Sequence, residues 1–374
     1  FMSERKDRNK RNCWLTYTNE KTHEIIRENI MRAPKYAGKI HGIGARYCPS
    51  IEDKVVRFAD KDRHQLFVEP EGLDTTEMYV QGMSTSMPID VQYAFLRTIP
   101  GFEDVKMMRP AYAIEYDLLD PLQLYPTLEV IKLPGLYSAG QSNGTSGYEE
   151  AAAQGLVAGI NAALKIQGKD PFILARHEAY IGSLVDDLVT KGADEPYRMM
   201  TSRSEYRLIL RQDNADLRLT EKGHSIGLVG EERYARFLER KKKYEEAMDY
   251  IRTQRFTPKE EINRALESMG TAPLTTGTGA DQILKRPEMT YWKMMEMLGC
   301  PAFDEEAVEE MEITVKYEGY IARQEAAVRK AARMENEKLS LDMDYLSLDG
   351  ISIEARQKMD KIRPLSLGQA ARIP

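Results

Sequence analysis

The sequence predicts an α/β domain followed by a mainly α-helical domain. Strand-like runs alternate with glycine-containing loops up to about residue 170, whereas segments with the helical period dominate after it. The change coincides with the stretch Gly168-Lys169-Asp170-Pro171, whose glycine and proline are typical of a loop. We therefore predict a domain boundary close to residue 170.

The composition excludes several classes of protein. The chain has 374 residues, of which 42% are hydrophobic and 30% charged, as in ordinary globular proteins. No apolar run approaches the roughly 20 residues of a membrane helix, and the charged start is unlike a signal peptide. Because the formal net charge is -6, any nucleic acid must be bound by local basic patches. Cys13, Cys48 and Cys300 are too scattered for a disulfide framework, which favours a reducing, cytoplasmic setting.

The first elements predicted are a strand, a helix and a loop. Residues 13–18 form a strand-like run, and Asn19 suits the N-cap of a helix that Pro34 ends. We expect a loop over 41–58. Two strands separated by a charged turn are predicted within 55–68.

The remaining elements of the first domain lead to a glycine-containing loop. Pro88 precedes an amphipathic helix over 89–99, and residues 110–119 and 135–140 are predicted to be strands. A helix with small residues on most faces is predicted over 147–164. The second domain is predicted to contain helices over 173–191, 202–211, 231–254, 258–269, 280–286, 290–298 and 304–337, with a loop at 275–282.

The stretch from Ser138 to Gly155 is a predicted strand–loop–helix. Free N–H groups at a helix start favour polar or anionic ligand atoms, and glycines permit close approach of a ligand to the backbone. A tight turn capped by Thr145 or Ser146 explains the same residues without a ligand. The stretch lacks the GxGxxG pattern and is therefore no primary dinucleotide fingerprint. The negative charges of the glutamates at 149 and 150 are stabilised near a helix start and need no catalytic role.

A stripe of arginines is predicted on the helix over 202–211, which begins with a predicted capping box. Spaced four apart, the three share one helix face: Arg203, Arg207 and Arg211. Such a stripe suits a phosphate backbone. The alternative is a face of ion pairs with Glu205 and Asp213.

Blocks of sequence along nearly the whole chain occur in a specific order. They are TYTNEKTHEIIREN, ARYCPSIEDKVVRFADKDRHQLFVEPEG, STSMPIDVQ, RPAYAIEYD, GLYSAGQSNGTSGYEEAAAQGLVAGINAAL, EPYRMMTSRSEYRLILRQDNADLRLTEKG, RPEMTY, YEGYI and RPLSLGQAARIP. In sequence and order these blocks resemble the MnmG (GidA) family of tRNA uridine-5-carboxymethylaminomethyl modification enzymes.

The resemblance implies three domains and a fragment. Residues 1–40 correspond to the end of an inserted NADH-binding domain, and 41–170 to the C-terminal part of a Rossmann-like FAD-binding domain. Residues 171–374 correspond to the helical domain that binds tRNA and the partner GTPase MnmE. Family members begin with a strand, a glycine-rich turn and a helix that hold the ADP part of FAD. This sequence contains no such fingerprint and lacks the stretch that follows RIP in the family.

The resemblance also implies an activity. With MnmE, the family uses FAD and NADH to form 5-(carboxymethyl)aminomethyluridine at the tRNA wobble position. Methylene-tetrahydrofolate supplies one carbon, and glycine or ammonium supplies the amine. A homodimer is expected by the same resemblance. The alternatives are an inactive fragment that binds tRNA and MnmE, or a folate- and FAD-dependent tRNA uracil-5-methyltransferase, against which the long helical extension after residue 170 counts.

The resemblance assigns cofactor contacts to two loops. The flavin is expected to contact Gln141 and the nearby backbone, at Asn143, Gly144, Thr145 and Gly147. The NAD contacts are expected at Gly44, Arg46, Tyr47, Ser50, Asp53, Lys54 and Phe58. Arg46 and Lys54 suit the phosphates of the dinucleotide, although a solvated surface pair explains them equally.

Cys48 is the candidate catalytic residue. A thiolate that attacks C6 of uracil makes C5 nucleophilic, and the neighbouring Arg46 is suited to lower the pKa of the thiol. A small buried hydrophobe beside Pro49 is the alternative. The resemblance supports tRNA binding by Arg203, Arg207 and Arg211. No metal is expected, because the histidines lack metal-ligand spacing.

Overall fold

The computed structural model describes residues 11–40, 50–113, 117–193, 195–340 and 342–373. These residues divide into two compact units. The first, here called the α/β unit, contains the described residues up to Ala163 together with 192–198. The second, here called the helical unit, contains 164–191 and the described residues from Met199 onward.

The α/β unit contains a three-stranded antiparallel sheet in the order β1-β2-β3. Its strands are β1 (Trp14–Tyr17), β2 (Gln65–Pro70) and β3 (Met78–Gln81). Leu66 of the central strand is fully buried, whereas its neighbour Phe67 is exposed. This alternation shows that one face of the sheet packs on the core. The strands predicted for 13–18 and 65–68 are confirmed, and β3 was not predicted.

Helix α1 (Glu20–Glu28) begins as the sequence predicts. The Asn19 Oδ1 atom accepts the Thr22 N–H (3.0 Å), and the Thr22 hydroxyl oxygen accepts the Asn19 N–H (3.2 Å). This reciprocal capping box satisfies two backbone donors at the helix start. The α-helix ends at Glu28, and a 3-10 turn over Ile30–Arg32 replaces the last predicted turn before Pro34.

The prediction of a loop over 41–58 with a strand from Val55 is wrong for the part that the structure describes. Helix α2 (Ile51–Arg57) occupies it. The Ser50 side chain caps this helix by accepting the Asp53 N–H (3.3 Å). Ile51 and Val55, four residues apart, are both buried, so the β-branched residues that indicated a strand instead form one face of a helix.

Two further helices of the α/β unit are confirmed. Helix α3 (Ile89–Leu96) covers most of the predicted 89–99, and α4 (Tyr148–Ile166) covers the predicted 147–164. The core of the unit brings together α1, α2, α3 and the inner face of the sheet. It consists of Ile26, Ala33, Ile51, Val55, Leu66, Met83, Met87, Val91, Phe95, Ile99 and Phe102.

The strands predicted for 110–119 and 135–140 are wrong within the described residues. The backbone N–H and C=O of Ala111 bond to the side-chain amide of Gln92 (2.9 and 2.8 Å) rather than to a neighbouring strand. Residues 135–140 take part only in an isolated bridge between Glu129 and Tyr137. Without a paired neighbour, an extended segment does not become a ladder strand.

The helical unit is built from helices and one short strand pair, in agreement with the predicted class. The helices are α5 (Tyr180–Lys191), α6 (Ala215–Ser225), α7 (Glu231–Thr253), α8 (Glu260–Ser268), α9 (Ala280–Leu284), α10 (Tyr291–Leu298), α11 (Glu305–Lys316), α12 (Glu318–Asn336), α13 (Ile353–Ile362) and α14 (Leu367–Arg372). The strands are β4 (Arg255–Phe256) and β5 (Thr278–Gly279), of which β5 lies in the predicted loop at 275–282.

Several helix predictions in this unit need correction. The segment predicted as 173–191 becomes helical only at Tyr180, and 304–337 is two helices that meet at Tyr317. Helices α6, α13 and α14 were missed. The segment 202–211 is not an α-helix: a 3-10 turn over Thr201–Arg203 is followed by turns.

The core of the helical unit surrounds the fully buried Tyr291. Its hydroxyl donates to the Pro301 carbonyl (2.9 Å), which satisfies the polar end of the ring. The other buried members lie on α7 to α11 and on the segments between them: Ala247, Met248, Ile251, Phe256, Leu266, Leu274, Ala280, Ile283, Leu284, Met289, Met294, Cys300, Val308, Met311 and Val315.

Arg176 connects three segments of the helical unit. Its guanidinium donates to Asp187 (2.7 Å) and Asp186 (3.0 Å) on α5 and to Glu205 (2.9 Å) in the turn before α6. Burial disfavours the charged guanidinium, but these carboxylates outweigh it and raise the pKa of Arg176. Arg372 on α14 binds both oxygens of Asp186 (2.9 Å each) and so adds the C-terminal helix to the network.

Glu310 on α11 forms a second buried charge cluster. Its carboxyl group accepts from Arg211 and lies in hydrogen-bond contact with Asp213. Burial, followed by this second carboxyl group, raises the pKa of Glu310 to about 8. Burial opposes ionisation of Asp213 as well, but hydrogen bonds from Glu310 and Arg211 hold its pKa below the ordinary value. These opposite shifts favour a protonated Glu310 beside an ionised Asp213 near neutral pH.

Substitution of Glu310 by glutamine tests this shared proton. Glutamine stays neutral and, like the protonated acid, offers an oxygen to Arg211 and a donor to Asp213. The pKa of Glu310 in the folded state, about 8, lies above the ordinary value of 4.5. The stabilising contribution of the protonated Glu310 is therefore lost as the pH rises from 4.5 to about 8. We expect the melting temperature of Glu310→Gln, relative to the parent, to rise between about pH 5 and pH 8.5.

The matched control is Glu309→Gln, at the exposed neighbouring position on α11. Its melting temperature relative to the parent should change little over the same range. A constant difference for Glu310→Gln across the range would contradict the shared-proton pair.

Candidate functional site

The loop between Ser138 and α4 is organised by the buried side chain of Gln154. The Gln154 Oε1 atom accepts the Gly140 N–H (2.8 Å) and the Asn143 Nδ2–H (3.0 Å). Asn143 also donates to the Ser138 carbonyl (2.8 Å), and the Ser138 hydroxyl donates to the Asn143 Oδ1 atom (2.6 Å). Since Asn143 and Gln154 are both fully buried, this network fixes the loop against the first turns of α4.

Two glycines in the loop are required by the backbone itself. A 3-10 turn over Gly140–Asn143 starts at φ +74° in Gly140 and ends at φ +71° in Gly144, in the left-handed region. The Gly144 carbonyl accepts the Tyr197 N–H (2.9 Å), which ties the loop to residues 192–198 of the same unit. Side-chain-bearing residues adopt such angles at a cost of about 1 kcal/mol or more.

Gly147 is required for a different reason. A Cβ atom at this position would lie 2.0 Å from the Glu150 Oε2 atom and 3.0 Å from the Arg198 Nε atom. Glu150 is buried and pairs with Arg198 (3.0 Å). From the sequence, Glu150 is expected only to place a negative charge near the start of α4. The structure shows in addition that Glu150 pairs with Arg198 and that both side chains lie against Gly147.

The loop presents polar groups that fit a polar ligand. The Gln141 side chain is exposed beside the network. Among the described residues, the buried Thr145 Oγ1 and Gln154 Nε2 atoms have no hydrogen-bond partner. Thr145 therefore does not cap α4 through its hydroxyl, so the ligand-free explanation is left with Ser146 as the cap. A buried polar atom without a partner is costly, so these groups suit a ligand with hydrogen-bonding edges.

Only part of the predicted NAD loop falls within the described residues. Gly44, Arg46 and Tyr47, together with the candidate nucleophile Cys48, lie outside them. The structure places the other members on or next to α2: Ser50, Asp53, Lys54 and Phe58. Ser50 caps the helix, and the Phe58 ring is half-exposed.

Asp53 and Lys54 already have partners within the α/β unit. The Asp53 carboxylate accepts from Lys35 (2.8 Å) and the Tyr36 hydroxyl (2.9 Å). Burial opposes its ionisation, but these hydrogen bonds prevail and lower the pKa of Asp53; burial and the Asp53 contact raise the pKa of Tyr36 to about 12. Lys54 donates to the Gly82 carbonyl (3.3 Å).

The predicted arginine stripe does not lie on one helix face, because 202–211 forms turns. Arg203 and Arg207 are exposed. Arg211 is largely buried and donates to Asp213 (2.9 Å), as the ion-pair alternative requires for this residue, and also to Glu310. Arg203 and Arg207 are thus accessible to a ligand, whereas the guanidinium of Arg211 binds carboxyl groups within the helical unit.

Sequence reasoning missed Gln154 and Arg198, which organise the loop. A glutamine on an otherwise small and apolar stretch of α4 was the available signal, since a buried amide in a helix needs partners. No comparable signal existed for Arg198, which is distant in sequence from Glu150.

The described residues give little sign of other ligand sites. Within them, no group of three or more His, Cys, Asp or Glu side chains is arranged to hold a metal ion. No described helix is both long and apolar enough to cross a membrane. A cavity of about 490 Å³ in the helical unit is lined by charged side chains of α6, α7 and α11, several of which pair with one another, including Arg240 with Glu306 (3.0 Å).

Substitution of Gln154 by leucine tests the network. Leucine fills a similar volume but leaves the Gly140 N–H and the Asn143 amide without their acceptor. Each unsatisfied buried donor costs about 1–3 kcal/mol, so we expect a melting temperature lower by several degrees. Gln141→Leu, at an exposed position of the same loop, is the control and should melt like the parent. Equal melting temperatures for Gln154→Leu and the control would contradict the network.

Comparison with sequence families identifies the relatives of the chain. A family described as "Glucose inhibited division protein A" matches residues 1–170. Residues 231–325 match the "tRNA modifying enzyme MnmG/GidA C-terminal helical domain", and 327–374 match the C-terminal helical bundle of the same enzyme.

Individual relatives match along the whole chain. The tRNA uridine 5-carboxymethylaminomethyl modification enzyme MnmG of Clostridium kluyveri is 56% identical over 374 residues, which are 100% of this chain and 60% of the relative. The MnmG of Enterococcus faecalis is 56% identical over 98% of this chain and 58% of its own length. The chain thus spans about three-fifths of these curated relatives.

Solved structures share the fold. Two crystal forms of Aquifex aeolicus GidA superpose with a TM-score of 0.81, at 46% and 48% identity. They cover 98% and 97% of this chain, which spans 57% of each. The predicted order of an α/β domain and helical domains is confirmed, and the matches over both parts show that this chain belongs to the MnmG/GidA family.

Proposed function

We propose that this chain supplies part of the flavin site and the tRNA-binding domain of an FAD- and NADH-dependent enzyme that modifies the tRNA wobble uridine. The product is 5-(carboxymethyl)aminomethyluridine, formed with the GTPase MnmE and with methylene-tetrahydrofolate as the one-carbon donor. The MnmG/GidA family is FAD-dependent. The cytoplasm and a homodimer are proposed as the setting.

The observation that carries the proposal is the fixed loop in front of α4. Its left-handed glycines and its buried network hold the exposed Gln141 side chain and the backbone of 143–147 in one conformation. Rigid presentation of polar groups lowers the entropic cost of binding a planar cofactor. The loop contacts proposed for the flavin are Gln141, Asn143, Gly144, Thr145 and Gly147.

Bound FAD supplies the redox chemistry, and the side chains of this chain position it and its reductant. Near α2, the Phe58 ring is exposed and suited to contact the nicotinamide dinucleotide. Ser50, Asp53 and Lys54 make hydrogen bonds that fix α2 and the segments around it. We therefore propose that they maintain the conformation of the NAD site. Gly44, Arg46 and Tyr47 complete the proposed set.

Cys48 is proposed as the nucleophile toward the uracil ring. Its thiolate adds to C6, the C5–C6 π electrons move toward C5 and the C4 carbonyl, and C5 becomes nucleophilic. After C5 has formed its new bond and lost its proton, the thiolate leaves and the double bond is restored. The residue is thus regenerated in each turnover.

The helical residues after 170 are proposed to bind tRNA and MnmE, whereas 1–40 and 41–170 belong to the NADH- and FAD-binding domains. Arg203 and Arg207 are exposed and suit phosphate groups. Arg211 is proposed to position the other two, because its hydrogen bonds to Asp213 and Glu310 hold the turn that carries them.

Substitution of Gln141 by alanine tests the flavin contact. The side chain is exposed, so the melting temperature without FAD should be unchanged. We expect FAD affinity, measured by titration of flavin fluorescence, to fall roughly tenfold, because one hydrogen bond to a charged or polar ring edge contributes about 1–1.5 kcal/mol. The control is Gln282→Ala, an exposed glutamine on α9. Unchanged affinity in Gln141→Ala would remove this contact from the proposal.

Reconstitution tests the function as a whole. The full-length protein is incubated with FAD, NADH, GTP, MnmE, methylene-tetrahydrofolate, glycine and unmodified tRNA, and the nucleosides are analysed by mass spectrometry. We expect the carboxymethylaminomethyl product from the parent. Cys48→Ser should lose at least about a hundredfold in rate while retaining FAD, because the nucleophile is absent. Retained modification by Cys48→Ser would refute the nucleophile, and no product with the parent would refute the function.

A further inference from the structure

The outward face of α12 is basic and carries exposed aromatic rings. No residue of this helix is buried among the described ones. Arg323, Lys330 and Arg333 are exposed and make no ion pair with any described residue. Alanines lie between them along the same side of the helix. A helix so poorly covered by its own unit is suited to contact another molecule.

The first turn of this helix forms a cluster of two tyrosines and an arginine. Tyr317 and Tyr320 are 46% and 58% exposed, with ring centroids 6.4 Å apart. The Arg323 guanidinium lies 5.7 Å from the centre of the Tyr320 ring. Aromatic rings and guanidinium planes are the groups on which proteins stack unpaired RNA bases.

The side of α12 that carries Gln324 and Glu335, away from Lys330 and Arg333, is fixed to the helical unit. Gln324 accepts the Leu208 and Ile209 N–H groups (3.2 Å each) and donates to the Glu205 carbonyl (3.1 Å). Glu335 near the end of the helix pairs with Arg372. These contacts determine which side of the helix faces outward and join it to the turn that carries the exposed Arg207.

We propose that Tyr317, Tyr320 and Arg323 stack an unpaired base of the tRNA substrate, while Lys330 and Arg333 bind the adjoining phosphates. The inference rests on the proposed tRNA-modifying function and identifies α12 as a helix that binds the tRNA. From Tyr320 to Arg333 the helix rises roughly 20 Å, enough to follow several nucleotides. Arg207 is exposed on the turn to which Gln324 of α12 is bonded, so a further cation lies beside the helix in a chain whose net charge is -6.

The charge complement favours RNA over an apolar protein partner. Exposed aromatic surface alone fits either, but three unpaired cations on one helix face would each require a carboxylate from a protein. A nucleic acid strand offers regularly spaced phosphates to the cations and bases to the rings. An acidic protein surface is the competing occupant, and it forms an outcome of the test.

Binding of a tRNA transcript, measured by fluorescence anisotropy, tests the stacking contact. We expect Tyr320→Ala to raise the Kd about tenfold, and Tyr320→Phe to bind like the parent, because stacking uses the ring and not the hydroxyl. A fully paired RNA duplex should bind Tyr320→Ala and the parent equally. Circular dichroism confirms that each variant is folded.

The salt dependence of the same Kd tests the phosphate contacts. In the double variant Lys330→Ala, Arg333→Ala, the slope of log Kd against log salt concentration should fall by about 0.7–0.9 per lost contact. Lys242→Ala is the control, because this lysine is also exposed but lies on α7, and it should leave the slope unchanged.

The outcomes separate this proposal from the function on which it rests. If the parent modifies tRNA while Tyr320→Ala and the double variant bind tRNA with unchanged affinity, the proposal that α12 binds tRNA is refuted and the proposed function stands. If the variants lose affinity for MnmE and not for tRNA, the face belongs to the protein partner and the proposal is overturned. If the parent binds no tRNA, both fail.

Discussion

The candidate site depends on one buried amide. The Gln154 side chain receives hydrogen bonds from both ends of a four-residue turn, at Gly140 and Asn143. Because it belongs to α4, the loop is fixed to a helix rather than to other loops. The left-handed glycines at both ends of this turn and the exposed Gln141 within it belong to this arrangement. A flexible loop with the same residues would present the same groups, but their ordering would reduce the binding free energy.

The helical unit uses its charges in two ways. Arg176, Arg211 and Arg372 each pair with two or more acidic groups inside the unit, so their contribution is structural. Breaking such a buried pair leaves an uncompensated charge, which is far more costly than the loss of a surface pair. Other basic side chains remain exposed, on the turn with Arg207 and along α12. These side chains therefore determine the local positive charge that the unit presents to solvent. This division explains how an acidic chain presents a local basic surface to RNA.

Elements with clear caps or long periods could be predicted from the sequence. The capping residue Asn19 indicates the start of α1. In α4 and α7 the helical pattern extends over enough residues to identify both helices. The short helix α2 was missed because Val55 and Val56 favour strands locally, whereas burial of Ile51 and Val55 decides the outcome. The arginine spacing in 202–211 is compatible with a helix, but Arg211 instead binds residues far away in sequence. Likewise, the family resemblance identifies Gln141, whereas the role of Gln154 follows only from the hydrogen bonds that its buried side chain makes in the structure.

Hydrogen–deuterium exchange with and without FAD tests most directly whether the fixed loop contacts the flavin. In the full-length protein, we expect FAD to slow amide exchange in the peptides that contain residues 138–150, while those from α8 to α10 exchange at the same rate. The buried network already limits local opening, so the added protection should come from contact with the cofactor. Tight FAD binding without any change in the 138–150 peptides would contradict the account.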